Sequence, residues 1–82
     1  MKIHELKIKD KYYEDIVCGN KKAELRKNDR DYQAGDLIQF IPETINEKYW
    51  KYDLYEITHV LKDVPEYGLA NGYCILSIER LK

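Results

Sequence analysis

The ratio of strand-like to helical segments limits the folds open to this sequence more than any other feature. Five short runs of alternating or continuous apolar residues are typical of β-strands, and one run has helical spacing. In a chain of 82 residues, one short helix cannot cover the faces of an open five-stranded sheet. A curled, partly closed barrel leaves fewer free strand edges, and we therefore predict that architecture.

The predicted element order is strand, helix, three strands, loop and strand, within a single mainly-β domain of the α+β class over residues 1–82. Strands are predicted at 2–9, 22–28, 37–41, 52–61 and 73–81, and the helix at 11–18. Asp10 is predicted to cap this helix, and Gly19 to follow it in the left-handed conformation. Residues 62–72 contain one proline and two glycines, which predicts a loop.

Alternation also predicts the side-chain environment of the two histidines. His4 lies on the apolar face of the first strand, where a hydrogen-bonded core histidine is the ordinary interpretation. In the fourth strand, His59 is predicted to share a face with Tyr55 and Ile57.

The charge balance argues against a broad surface for duplex nucleic acid. The net charge is −1, so no overall positive field would attract a long polyanion. The cations are nevertheless concentrated locally, because residues 21–30 contain five cations and only two acids. Any nucleic-acid contact is therefore expected to be local.

The polar residues of the second strand allow two interpretations. If 22–28 is a strand, then Lys22, Glu24, Arg26 and Asn28 share one face, with neighbours about 7 Å apart. Such a row is either a solvated face or a site that reads anions and amides, in which Glu24 orients Arg26 and Lys22. Alternation alone leaves both interpretations open.

The two cysteines, Cys18 and Cys74, have no metal-ligand spacing around them. We interpret both as small buried thiols in a reducing compartment and expect neither a metal nor a cofactor. The first strand is charged and alternating, unlike a secretory leader, and no apolar run has the length of a membrane span. These features favour a cytoplasmic protein.

The segment Gly19-x-Lys21-x-x-Glu24-x-Arg26 resembles the G-x-K-x-x-E-x-R signature of ASCH domains, which belong to the PUA-like superfamily of small pseudo-barrels. Residues 11–19 resemble the helix that leads into this signature, and Gly35-Asp36 resembles the pair that opens the next strand. Residues 26–30 and 67–76 resemble short bacterial and phage ASCH-like proteins of unknown function. The resemblance implies a PUA-like pseudo-barrel whose helix covers one opening.

The resemblance further implies binding of RNA or a nucleotide in a cleft between the helix and the barrel. In that cleft, Lys21 would meet a phosphate or carbonyl, and Arg26 would read a phosphate or base edge in a bidentate way. Glu24 would hold Arg26 or accept from an exocyclic amine, and Gly19 would allow close backbone approach. The wider predicted ligand-binding set also contains Tyr12, Lys22, Asn28 and Arg30.

Two other functions are open at this point. Some short ASCH proteins resemble amidohydrolases acting on acylated cytidine, and a ribonuclease activity is associated with the superfamily. The amidohydrolases have a threonine nucleophile where this chain has Glu24, so only a Lys21–Glu24 acid–base pair remains and catalysis is the less favoured expectation. The third possibility is an accessory module of a phage-like operon, monomeric or weakly dimeric, with Tyr49 and Trp50 anchoring a partner.

Overall fold

The structure is a computed structural model that describes residues 1–44 and 54–81. Its elements are β1 (Ile3–Ile8), α1 (Asp10–Val17), β2 (Ala23–Lys27), β3 (Leu37–Pro42), β4 (Tyr55–Leu61), a 3₁₀ turn (Pro65–Tyr67) and β5 (Tyr73–Arg80). This order confirms the predicted one. The beginning of the predicted fourth strand, together with Tyr49 and Trp50, lies outside the described residues.

The strands form one mixed sheet in the order β1-β3-β4-β5-β2. β1 runs parallel to β3, and the other neighbouring pairs are antiparallel. The sheet curls into a half-barrel with one short helix, so the predicted mainly-β pseudo-barrel is confirmed. β1 and β2 are the two edge strands of the sheet, so contacts between them join the two edges of the half-barrel.

The core fills the concave side of the sheet. It is built from the alternate residues that the strands direct inward, with Phe40, Leu6, Ile38 and Ile57 among the most deeply buried. Helix α1 contributes Ile16 to this core. The helix is only eight residues long, so packing of this kind must stabilise it. Among the described residues, no helix is long and apolar enough to cross a membrane.

His4 is a buried, hydrogen-bonded core residue, as predicted. Its Nε2 lies 2.9 Å from Oδ2 of Asp36, and its ring meets Tyr32 edge to face at 4.8 Å. Asp36 also accepts hydrogen bonds from the backbone N–H groups of Lys2 and Gln33, both at 3.1 Å. These contacts hold the start of β1 against the turn before β3. The hydrogen bond with His4 is the main reason that the pKa of Asp36 lies below its ordinary value.

The structure corrects the predicted helix cap. Asp10 is the first residue of α1, and Lys9 occupies the capping position without a side-chain hydrogen bond. The Oδ1 atom of Asp10 accepts from the backbone N–H of Thr44 at 2.9 Å. The pKa of Asp10 is lowered first by a hydrogen bond with the side chain of Thr44 and then by this backbone contact. The contact also attaches the helix start to the chain that leaves β3. Gly19, by contrast, has φ 82°, which confirms the left-handed conformation predicted after the helix.

Two further side chains, those of Cys18 and His59, have a different solvent exposure or face from the one predicted. Cys74 is buried, but Cys18 is exposed because it sits in the turn where the helix ends. In β4, an irregularity in the pairing with β5 falls between Ile57 and His59. Because a bulge reverses the alternation of side chains, His59 is exposed while Tyr55 and Ile57 remain buried.

Candidate functional site

The turn after α1 positions the first cation of the site. The carbonyl oxygen of Asp15 accepts hydrogen bonds from the backbone N–H groups of Asn20 (2.9 Å) and Lys21 (3.0 Å). Gly19 allows this tight reversal because its positive φ is strained for residues that carry a Cβ. The backbone of Lys21 is therefore fixed by the end of the helix.

Glu24 is the centre of the site. The residue is only 7% exposed, although it is charged, and it lies on the inward face of β2. Its Oε1 accepts from Nζ of Lys21 at 2.6 Å, and its Oε2 accepts from Nε of Arg26 at 2.8 Å. Lys21 also donates to the carbonyl of Ala23. Both carboxylate oxygens are therefore engaged, and Glu24 holds two cations in a cluster with a formal charge of +1.

This geometry bears on the solvated-face interpretation of the polar row. Glu24 faces inward, whereas Leu25, the apolar neighbour, is 60% exposed. The row is therefore not a simple solvated face. The cation paired with Glu24 on the helix side is Lys21, whereas the binding-site interpretation of the alternating row had placed Lys22 there. Lys22 precedes β2 and is exposed.

Arg26 and Arg30 connect the two ends of the sheet. Nη2 of Arg26 donates to the carbonyl oxygen of Lys7 at 2.6 Å, and Nη1 of Arg30 donates to that of Glu5 at 3.1 Å. Both carbonyls belong to β1. One side chain of β2 and one from the segment after it therefore span the opening between the two edge strands of the half-barrel. Arg26 thus uses Nε to bind Glu24 and Nη2 to bind the backbone of β1.

A small cavity opens beside this cluster. It has a volume of about 300 Å³, at the lower end of the range for ligand pockets, and is lined by Tyr12, Lys21, Glu24 and Leu25. The ring of Tyr12 is partly exposed, and Nζ of Lys11 lies 4.9 Å from its centroid. An aromatic face, a cation and a positioned carboxylate therefore meet in one cleft between α1 and β2.

The remaining predicted site residues lie around this cleft. Gly19, Lys21 and Lys22 line a second cavity of about 410 Å³, on the side of the turn that faces Arg80. Asn28 is half-buried, and in the described part of the chain its Oδ1 is a buried acceptor without a hydrogen-bond partner. The structure thus brings Tyr12, Lys21 and Glu24 together, whereas Arg26, Asn28 and Arg30 line neither cavity.

The candidate acid–base pair and the lining of the small cavity bear on the catalytic alternative. Lys21 and Glu24, the candidate acid–base pair, are bonded to each other, and the lining of the small cavity contains no serine, threonine or cysteine. A hydroxyl or thiol nucleophile of those types is thus absent from the cavity wall. Within residues 1–44 and 54–81, no group of three or more acidic, histidine or cysteine side chains is placed to hold a metal ion.

The family is decided by a match that spans nearly the whole chain. Residues 3–78 match the sequence pattern of a domain of unknown function, DUF3850. The chain belongs to the DUF3850 family. Its relatives include an uncharacterized 12.9 kDa protein of Escherichia phage P2, which is 49% identical over 37 residues. That alignment covers 45% of this chain and 34% of the phage protein, so the chain matches about a third of its relative's length.

A solved structure shows that the DUF3850 fold also occurs in a distant sequence. The crystal structure of the hypothetical protein PH0355 superimposes with a TM-score of 0.67 and shares 20% sequence identity. The superposition covers 99% of this chain and 100% of that one. At this identity the likeness establishes the fold of the DUF3850 domain and carries no information about its ligand.

Proposed function

We propose that this domain is an ASCH-like member of the PUA-like superfamily that binds a nucleotide unit, either free or within single-stranded RNA. The observation that carries the proposal is Glu24, a buried carboxylate that binds Arg26 and holds Lys21 at the wall of a cavity beside Tyr12. Together with Gly19, these are the residues of the G-x-K-x-x-E-x-R pattern.

Each part of the cleft matches one part of a nucleotide. The exposed ring of Tyr12 offers a surface on which a base can stack. Lys21 supplies a cation for a phosphate or carbonyl oxygen, and Arg26, bound to Glu24 behind the wall, adds positive charge. Glu24 neutralises one of its two cations, so the cluster keeps a net positive charge. Because the cluster is half-buried, its attraction for an anion is screened less than at a fully exposed site.

A ligand screen by thermal unfolding tests the proposal. Nucleoside monophosphates and short RNA oligomers are added to the wild-type domain, to Lys21→Ala and to Lys2→Ala. Lys2 is an exposed lysine of the opposite sheet end and serves as the matched control. A ligand at 100 times its Kd should stabilise the wild-type domain and the control by about 2.7 kcal/mol, and Lys21→Ala clearly less.

Two outcomes would count against this function. In the first, no nucleotide or oligomer shifts the unfolding temperature of the wild-type domain. In the second, the shift is the same in Lys21→Ala, which would place the ligand away from the cleft.

A further inference from the structure

The outer face of β2 connects the proposed cleft to a second depression. Leu25 forms one wall of the cavity beside Tyr12, and it also lines a shallow, largely apolar groove of about 260 Å³. The other residues that line this groove are Gly68, Leu69, Ala70 and Tyr73. The cleft and the groove therefore lie side by side, with Leu25 as the ridge between them.

Strand register shows that this outer face is apolar. Leu25 of β2 pairs with Ile75 of β5, which pairs with Leu61 of β4, so the three form one cross-strand row. Their neighbours in β5, Cys74 and Leu76, are completely buried on the opposite face. Leu25 and Leu61 are exposed and Ile75 is half-buried, so the row is accessible.

Aromatic and positive groups lie next to this row. Tyr73, which is 43% exposed, pairs across the strands with Lys27, an exposed cation. On the same face Tyr73 is the diagonal neighbour of Leu25, a separation of about 7–8 Å in an antiparallel pair. At the other side of Leu25, Lys21 and Tyr12 line the cleft. The cleft is therefore lined by a tyrosine and a lysine, and the groove is lined by a tyrosine whose cross-strand partner is a lysine.

The charge of this region favours a polyanion over an apolar protein surface as the occupant. Lys21 lines the cleft and Lys27 lies beside Tyr73, whereas Glu24, the acid of the cleft, is already paired twice. Single-stranded nucleic acid is held by this combination of cations along the backbone and aromatic rings under successive bases.

We propose that the ligand of the cleft is single-stranded RNA that continues over Leu25 into the groove. One nucleotide occupies the cleft beside Tyr12 and Lys21, and a following nucleotide stacks on Tyr73 with its phosphate near Lys27. The inference rests on the proposed function and adds to it a minimum ligand of two nucleotides. Stacking of this kind tolerates different bases, so weak base preference is expected in the groove.

The test compares ligands that differ only in length. AMP, UMP and the hexamers of adenylate and uridylate are titrated at low salt into the wild-type domain, Tyr73→Ala and Tyr67→Ala. Tyr67 is 84% exposed and does not line the groove, so it is the matched control. We expect a hexamer to bind the wild type at least tenfold more tightly than its monophosphate, since the second depression adds contacts.

Tyr73→Ala should weaken hexamer binding by about fivefold or more, the effect of losing one stacked base. The same variant should leave monophosphate binding unchanged, and Tyr67→Ala should change neither. Circular dichroism checks that Tyr73→Ala folds. Lys27→Gln gives an independent measurement, because it should reduce the slope of log affinity against log salt by about 0.7 for the hexamer alone.

The outcomes separate this inference from the proposed function. Equal affinities for monophosphate and hexamer would overturn the proposed second nucleotide site in the groove. So would a hexamer affinity that neither Tyr73→Ala nor Lys27→Gln changes. Neither outcome would contradict nucleotide binding in the cleft. Failure of every ligand to bind the wild type would overturn both. Self-association of the RNA-free domain that Leu25→Ser abolishes, without hexamer binding, would assign the face to a second copy of the chain.

Discussion

Replacement of Glu24 by alanine should destabilise the domain through two cations that lose their shared partner. Removing one member of a buried ion pair costs about 3–5 kcal/mol. The side chains of Lys21 and Arg26 are 26% and 22% exposed, so water can solvate them in part. We therefore expect a loss of about 2 kcal/mol, nearer to that of an unsatisfied hydrogen-bonding group.

That loss is large for a domain of this size. A chain of 82 residues has a free energy of unfolding of about 4–12 kcal/mol, and 2 kcal/mol lowers the melting temperature by about 8–16 °C. The assay is urea unfolding at pH 7, followed by circular dichroism. The midpoint should fall while the dependence on urea concentration stays the same, because the surface exposed on unfolding is unchanged.

Two further variants make the test specific. Glu24→Gln keeps one carbonyl acceptor but places an amide N–H₂ beside a cation, so its cost should lie near 1 kcal/mol. Glu66→Ala removes an exposed carboxylate on the 3₁₀ turn and should change stability by no more than about 0.5 kcal/mol. If Glu24→Ala costs no more than Glu66→Ala, Glu24 does not hold the two cations in solution.

Three other predictions concern the parts that frame the site. Asp36→Asn should cost about 1–3 kcal/mol at pH 7. Because the native state lowers the pKa of Asp36, this difference should shrink as the pH falls below 3.8 in acid-unfolding curves. Gly19→Ala should lower the free energy of unfolding, measured in urea, by about 1 kcal/mol because of strain at positive φ, even though no atom beyond its chain neighbours lies within 4 Å of the new Cβ. In native protein, Ellman's reagent should modify exposed Cys18 quickly and Cys74 only on unfolding, since burial protects that thiol and raises its pKa.

The element order was predictable because each element depends on residues close in sequence. Periods of two and 3.6 residues, with a glycine after the helix, identify the strands and α1 to within a few residues. The half-barrel follows from the ratio of strands to helices, since one short helix cannot cover an open sheet.

The bulge before His59 was not predictable, because a single inserted residue reverses side-chain orientation without disturbing the hydrophobic pattern on either side. The contact of Asp10 with Thr44 was missed for a related reason. The two residues are 34 positions apart, and the local pattern of Asp10 is the same whether it caps the helix or binds a distant chain.

Strand β2 shows most clearly what the sequence and the tertiary structure each determine. By itself, the sequence determined that Glu24 and Arg26 share one side of a strand and that cations surround them, since side chains alternate along any strand. Only the tertiary structure decided that this side turns inward. β1 and β2 become the two ends of one curled sheet, and Arg26 then reaches the carbonyl of Lys7, 19 residues away. Local alternation has no information about which distant backbone a strand will face, and so it could not place Glu24 in a buried position beside Tyr12.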